Sequence, residues 1–282
     1  MKEIAEAFIA ACRDEIEAPK PGNVHIFASG HGMTADDFLR SAAAAAPALC
    51  NPALSIGGRI LAGVEATFAA AGMNTNLGII LLCAPLAAAA GTGGELAKNL
   101  RVQLAGLTRK DAEDAFRAIA RAAPAGLGSV PKHDVHGAAG VTLLDAMREA
   151  ASRDKIACQY SFNFIDIFEI GIPSLNEARA KGWPPPWPAV SAYLTFLARF
   201  PDSHIARKHG ASAAAWVQKK GAAWRDRFMA TPEPSGALED LLAFDKELKT
   251  AGLNPGTSAD LTVASIFADR LTRILINRRN NG

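Results

Sequence analysis

The residues that could do chemistry in this chain fall in six polar segments that interrupt long Ala-rich stretches. The first is Pro19-Lys20-Pro21-Gly22-Asn23-Val24-His25, where two prolines stiffen the backbone around an ammonium, an amide and an imidazole. Such a loop can set Lys20, Asn23, His25 and the backbone of Gly22 against phosphate oxygens. It is equally what an ordinary helix stop with a solvated lysine looks like. The second, Gly30-His31-Gly32-Met33-Thr34-Ala35-Asp36-Asp37, offers an imidazole and two carboxylates. Thr34 and Asp37 also stand at the spacing of an N-cap and its acidic third residue. Thr108 and Asp111 repeat that spacing at the head of a charged helix with no chemistry around it, so the spacing alone marks only a helix start.

Met73-Asn74-Thr75-Asn76 opens the most apolar stretch of the chain. Its amides would sit at the edge of a dry interior, where hydrogen bonds count for more, or would simply cap a helix. Asp202-Ser203-His204 with Arg207-Lys208-His209 concentrates an acid, two strong bases and two imidazoles, enough to neutralise several phosphates or to form a solvated helix end. Asn254-Pro255-Gly256-Thr257-Ser258-Ala259-Asp260 is dense in turn residues and hydroxyls. It resembles an anion nest at a helix N-terminus, with Asp260 able to carry a Mg²⁺ that bridges phosphate oxygens. His133-Asp134-Val135-His136 invites a metal reading, but Pro131 and Gly137 favour a loop over a helix that would align both imidazoles. There is no G-x-S-x-G, no Walker A and no G-x-G-x-x-G.

The elements that must position these groups read as helices. Periodicity and propensity predict them near 2–17, 35–46, 54–71, 76–90, 109–122, 139–152, 155–170, 188–199, 203–227, 236–250 and 258–277. No alternating strand pattern is convincing. Gly and Pro clusters separate the helices, and Trp183-Pro-Pro-Pro-Trp-Pro188 reads as a rigid extended crossover packed by its own tryptophans. No solenoid period is present, so residues 1–282 are expected to form one compact all-α domain of ten or more helices.

Composition sets the class. Of 282 residues, 49% are hydrophobic and 7% aromatic, so small aliphatic side chains build the core. Thirty Lys and Arg against 28 Asp and Glu leave +2, which argues against a broad footprint for nucleic acid or an anionic membrane. Four scattered cysteines suggest neither a disulfide framework nor zinc, and a cytoplasmic setting is expected. The longest apolar run, Leu77 to Ala90, contains Pro85 and is shorter than the roughly 18 to 20 residues a bilayer requires.

Five stretches together carry a resemblance. Lys20-Pro-Gly-Asn-Val24, Asp37-Phe-Leu39 with Ser41, Met73-Asn-Thr-Asn-Leu-Gly78, Asp202-Ser-His-Ile205 and Asn254-Pro-Gly-Thr-Ser-Ala-Asp-Leu261 resemble, in the same order, the triphosphoribosyl-dephospho-CoA synthase family over about residues 1–278. Where that family carries His-Lys-Asp-Met, this chain has His31-Gly32-Met33, with Asp36 and Asp37 the next acids. In this it is similar to a divergent subgroup met in methanogens and methylotrophs, which implies a one-carbon cofactor setting. The resemblance implies an all-α enzyme that replaces the adenine of ATP by the 2′-hydroxyl of dephospho-CoA.

Displacing a base from ribose passes through an oxocarbenium-like state and requires proton transfer and phosphate neutralisation. On that reading His31, Asp36 and Asp202 are the candidate catalytic residues, with His31 or Asp36 deprotonating the acceptor. Asp37 and Asp260 would hold Mg²⁺. Lys20, Gly22, Asn23, His25, Asn74, Thr75, Asn76, Arg207, Lys208, Asn254, Gly256, Thr257 and Ser258 would bind ATP. The partners expected are ATP and dephospho-CoA or a related cofactor precursor, and a homodimer is compatible with helices packing between subunits. Two rival readings stand beside it: a dimetal hydrolase resembling ADP-ribosylglycohydrolases in outline, and a non-catalytic nucleotide-binding protein.

Overall fold

The computed structural model describes residues 1–123 and 139–281, so the His133–His136 segment lies outside the described residues. Fourteen α-helices occupy them: α1 (Lys2–Glu17), α2 (Ala35–Leu49), α3 (Ile56–Ala71), α4 (Leu77–Gly91), α5 (Leu96–Ala105), α6 (Arg109–Ala122) and α7 (Leu143–Ala150); then α8 (Lys155–Ser161), α9 (Ile172–Ala180), α10 (Trp187–Arg199), α11 (Ser203–His209), α12 (Ala211–Met229), α13 (Leu238–Thr250) and α14 (Gly256–Asn281). No strand is formed among the described residues, only two isolated bridges, His25 with Ala28 and Gly30 with Met33. The all-α expectation is met.

Two helices form the centre. In α4 every residue from Ile79 to Ala90 is buried, as a helix apolar on all faces must be. In α14 the stretch Leu261 to Ala268 is buried, and its hydroxyls at Thr262 and Ser265 return to the carbonyls of Ser258 and Leu261. Around α14 pack α1, α4, α9, α10 and α11. On the other side α2 pairs with α3, and α3 with α6. No single described helix is long and apolar enough to cross a bilayer; α4 and α5 would reach that length only together, and they meet at 112°.

Pro85 illustrates how the core is closed. Lacking an N–H, it leaves the carbonyl of Leu81 without its helical donor. The Tyr160 hydroxyl, arriving from α8, donates to that carbonyl at 2.6 Å. A proline inside a buried helix thus docks a neighbouring helix on it.

Two of the predicted helices depart most from their expected bounds. The helix expected over 155–170 ends at Ser161, because Asn163 and Phe164 turn into the left-handed region at φ 54° and 62°. That turn drops Phe164 fully into the core against Tyr160, and a π-helical turn over Ile167–Gly171 then leads into α9. The helix expected over 203–227 is two helices, broken at Gly210 with φ 88°. Helices α5 and α9 were not predicted. The proline segment is packed by its own tryptophans as expected, with Trp183 and Trp187 both against Phe228. It is not extended throughout: Pro185 and Pro186 form a turn, and Trp187 and Pro188 begin α10, because proline is tolerated in a helix's first turn.

Tyr160→Phe keeps the ring and removes only the donor to Leu81. The buried carbonyl then has no partner, and the variant should lose about 1–3 kcal/mol of stability. Urea unfolding measures it, with a lower midpoint expected at unchanged slope.

Candidate active site

The loop after α1 is held by buried polar contacts. Lys20 is 0% exposed, and its three ammonium protons meet the Glu15 carboxylate at 2.8 Å and the carbonyls of Glu15 and Val24 at 3.0 and 2.7 Å. Burial pulls the ammonium below its ordinary range and pushes Glu15 above its own, while their mutual attraction opposes both. The Gly22 N–H donates to Asp245 on α13 at 2.9 Å, and His25 lies 3.3 Å from the same carboxylate. Tyr193 on α10 donates to the Pro21 carbonyl at 2.6 Å, and Asn23 donates to Asn254 at 2.8 Å. These contacts tie the loop to α1, α10, α13 and the start of α14.

At the far end of the loop His31 lies 2.9 Å through Nε2 from the Gly22 carbonyl. A carbonyl only accepts, so Nε2 carries the proton and Nδ1 keeps its lone pair. The residues before α14 are equally fixed. Asp202 caps α11 through the N–H groups of His204 and Ile205 with one oxygen, and takes the Ser258 N–H and hydroxyl at 2.8 Å with the other. The two segments are thereby clamped to each other.

Between them opens a cleft of about 1010 Å³. The first residues of α4, α8, α11 and α14 all line it, as do the loop residues Asn23 and His31. Its polar part carries Arg153, Lys155, His204, Arg207 and Lys208; its apolar part is walled by Phe116 and Ile119 of α6 and by Leu143 and Met147 of α7. Arg207 is ion-paired with Asp154 at 3.1 Å, and Lys155 with Asp166 at 3.1 Å. Helix N-termini and cations on one wall are features that favour anions.

Asp260 sits in the same cleft, one turn into α14. Among the described residues it has neither a hydrogen bond nor an ion pair. Its carboxyl stands well above the ordinary range, chiefly through burial and further through the charges of Glu15, Asp202 and Asp154, with Arg207 opposing. It lies against the first turn of α4, where a Cβ on Gly78 would overlap the carboxylate.

The comparisons with known proteins agree on one family. A family model described as ATP:dephospho-CoA triphosphoribosyl transferase, the CitG family, matches residues 1–279. The chain belongs to this family. The 2-(5''-triphosphoribosyl)-3'-dephosphocoenzyme-A synthase of Pectobacterium atrosepticum is 28% identical over 195 residues, which are 67% of this chain and 56% of that protein. A protein of Pectobacterium carotovorum, given the same name provisionally, matches to the same extent. The match thus spans just over half the length of these curated relatives. A crystal structure from Archaeoglobus fulgidus, described provisionally as a triphosphoribosyl-dephospho-CoA synthase, superposes with a TM-score of 0.65 at 25% identity, covering 83% of this chain and 98% of that one.

Of the residues expected to form a site in this family member, ten line the cleft: Asn23, His31, Asn74, Thr75, Arg207, Lys208, Asn254, Gly256, Thr257 and Asp260. Eight lie outside it. Lys20 is saturated by Glu15 and two carbonyls, and Gly22 and His25 face Asp245. Asn76 is buried and accepts from Thr67. Asp202 and Ser258 are occupied with each other. Asp37 completes a capping box with Thr34 and pairs with Arg40, as does the exposed Asp36. Sequence reasoning passed over Glu15, Asp154 and Lys155, which do line the cleft; it noticed His204 only as part of a cluster.

The donor set bears on magnesium. Among the described residues no three His, Cys, Asp or Glu side chains gather as a metal cage, and the Asp37–Asp260 pair is not brought together. Mg²⁺ keeps several waters and takes one or two carboxylates when it rides on phosphates. Asp260 fits that lesser requirement. The dimetal hydrolase arrangement, which needs acids from α2 beside α14, has no such cluster here.

An ionised Asp260 is unfavourable in the folded state, so stability is greatest below pH about 4 for this group and is lost as pH rises through its raised pKa. Asp260→Asn should therefore melt higher than the parent at pH 7–8, by about 2–4 °C for each kcal/mol recovered, with the gain shrinking toward pH 4. A melting series across pH measures it; a lower melting temperature at pH 8 would contradict the placement of the unpaired carboxylate.

Proposed function

We propose that this cleft transfers the triphosphoribosyl group of ATP to a hydroxyl of dephospho-CoA or a related cofactor precursor, with release of adenine. The observation that carries the reading is Asp260, an unpartnered carboxylate in a cleft of helix N-termini and cations, in a chain of the transferase family. Arg207, oriented by Asp154, and Lys208 neutralise the triphosphate together with the start of α14 at Gly256 and Thr257. Asp260 is the carboxylate offered to a Mg²⁺ carried on the phosphates; the ion would supply charge neutralisation there. Asn74 and Thr75 orient the sugar.

The proton of the acceptor hydroxyl goes to Nδ1 of His31, the lone-pair nitrogen left available by the Nε2 bond to Gly22. The hydroxyl oxygen forms the new bond to ribose C1′ as the C1′–N bond to adenine breaks, and the base leaves with the bonding pair and takes up one proton, which balances the one given to His31. His31 replaces Asp36 in this role because Asp36 is exposed and held by Arg40.

Incubation with ATP and Mg²⁺, with and without dephospho-CoA, tests the reading by following adenine. Acceptor-dependent release is expected, lowered at least about 100-fold in Asp260→Ala and about 10²–10⁴-fold in His31→Asn. Equal release without acceptor would make the protein a hydrolase, and no release with any acceptor would make it a binding protein.

A further inference from the structure

The imidazole of His204 lines the cationic part of the cleft, and the proposed reaction leaves it unused. Its position is tightly set. The His204 N–H is shared between Asp202 at 2.9 Å and the Thr257 hydroxyl at 3.2 Å, and the ring lies against the start of α14, where a Cβ on Gly256 would stand 3.2 Å from Nδ1. Among the described residues the ring itself makes no hydrogen bond, so both nitrogens are available to the cleft.

Its charged surroundings are one-sided. From α11 it faces Arg207, Lys208 and His209, and from the loop after α1 it faces His31. The start of α14 contributes Gly256 and Thr257, with Asp260 in the cleft one turn further on. Asp202, two residues before it, gives both oxygens to four other donors. Among the described residues no carboxylate is hydrogen-bonded to the ring, and the leading influences on its pKa all oppose a proton.

We propose that His204 takes up a proton from solvent as a polyphosphate enters the cleft, and becomes a further cation holding it. In the empty cleft burial and the neighbouring cations keep the ring neutral, with its pKa pushed down to about 4. A polyphosphate reverses the dominant influence: it screens Arg207 and Lys208 and places oxygens beside a ring that has two unoccupied nitrogens. A charge-assisted contact to phosphate then favours the imidazolium. The coupling rests on the cleft receiving a polyphosphate, and not on what is transferred afterwards.

The test uses the full-length protein, inorganic tripolyphosphate as probe, and histidine-ring NMR at pH 6. The His204 resonance, assigned by its loss in His204→Asn, should report a neutral ring in the unliganded protein and a protonated ring at saturation. Tripolyphosphate should bind the parent about tenfold tighter than His204→Asn at pH 6, with the gap closing toward pH 8. His204→Gln serves for assignment and binding if the asparagine variant fails to fold. A ring that stays neutral in the saturated complex, or an affinity gap independent of pH, overturns the proposal and leaves the transfer reading intact. Failure of tripolyphosphate to bind the parent overturns both the coupling and the phosphate assignment of the cleft.

Discussion

The close approach of α4 and α14 at Gly78 is the constraint from which the site follows. Only a residue without a side chain lets the first turn of α4 lie against the Asp260 carboxylate. That approach puts the positive end of one helix beside an acid on the first turn of another. Arg207, Lys155 and His204 line the same cleft as this unpartnered carboxyl. Arg207 is near enough to lower the Asp260 pKa but is ion-paired with Asp154. The fold therefore maintains an unfavourable group at the point where a cation on phosphate would relieve it, which is how strained electrostatics mark a site.

A second layer of buried charge makes the first possible. Lys20 and Glu15 form a pair closed to solvent, and Glu15 belongs to the cleft floor beside Asp260. Without Lys20 the floor would carry a second unneutralised acid, and removing one partner of a buried pair commonly costs about 3–5 kcal/mol. The lysine thus acts on the cleft through Glu15 and through the loop that presents His31. Within the near balance of 30 basic and 28 acidic residues, the buried pair Lys20–Glu15 and the part-buried pair Lys249–Asp245 hold this loop to its neighbours.

Much of the architecture was legible in the sequence because helix signals are local. Thr34 with Asp37 and Thr108 with Asp111 announced capping boxes that the structure forms, and the apolar run after Asn76 announced a buried helix. Gly210 carried its break signal inside an otherwise continuous pattern. Phe164 leaves α-helical geometry where its ring enters the core, a tertiary outcome that no local pattern records. The site was legible as segments more than as residues. The five polar segments that lie among the described residues reach the cleft or its supports, yet Lys20, Asp202 and Ser258 face inward. A loop motif tells which side chains are present, and only the packing of α10, α13 and α14 decides which way they point. Lys155 and Asp154 were missed because, at a helix start, they look like any cap.

The central claim is that the anion goes where Asp260 stands. A crystal structure of the protein with ATP and Mg²⁺, in the absence of acceptor, tests it most directly. The account predicts triphosphate oxygens within hydrogen-bonding distance of Arg207 and Thr257, with the Asp260 carboxylate on the same side of the nucleotide as its metal. Phosphates seated instead at the start of α2, beside Asp36 and Asp37, with Asp260 remote from both nucleotide and metal, would contradict it.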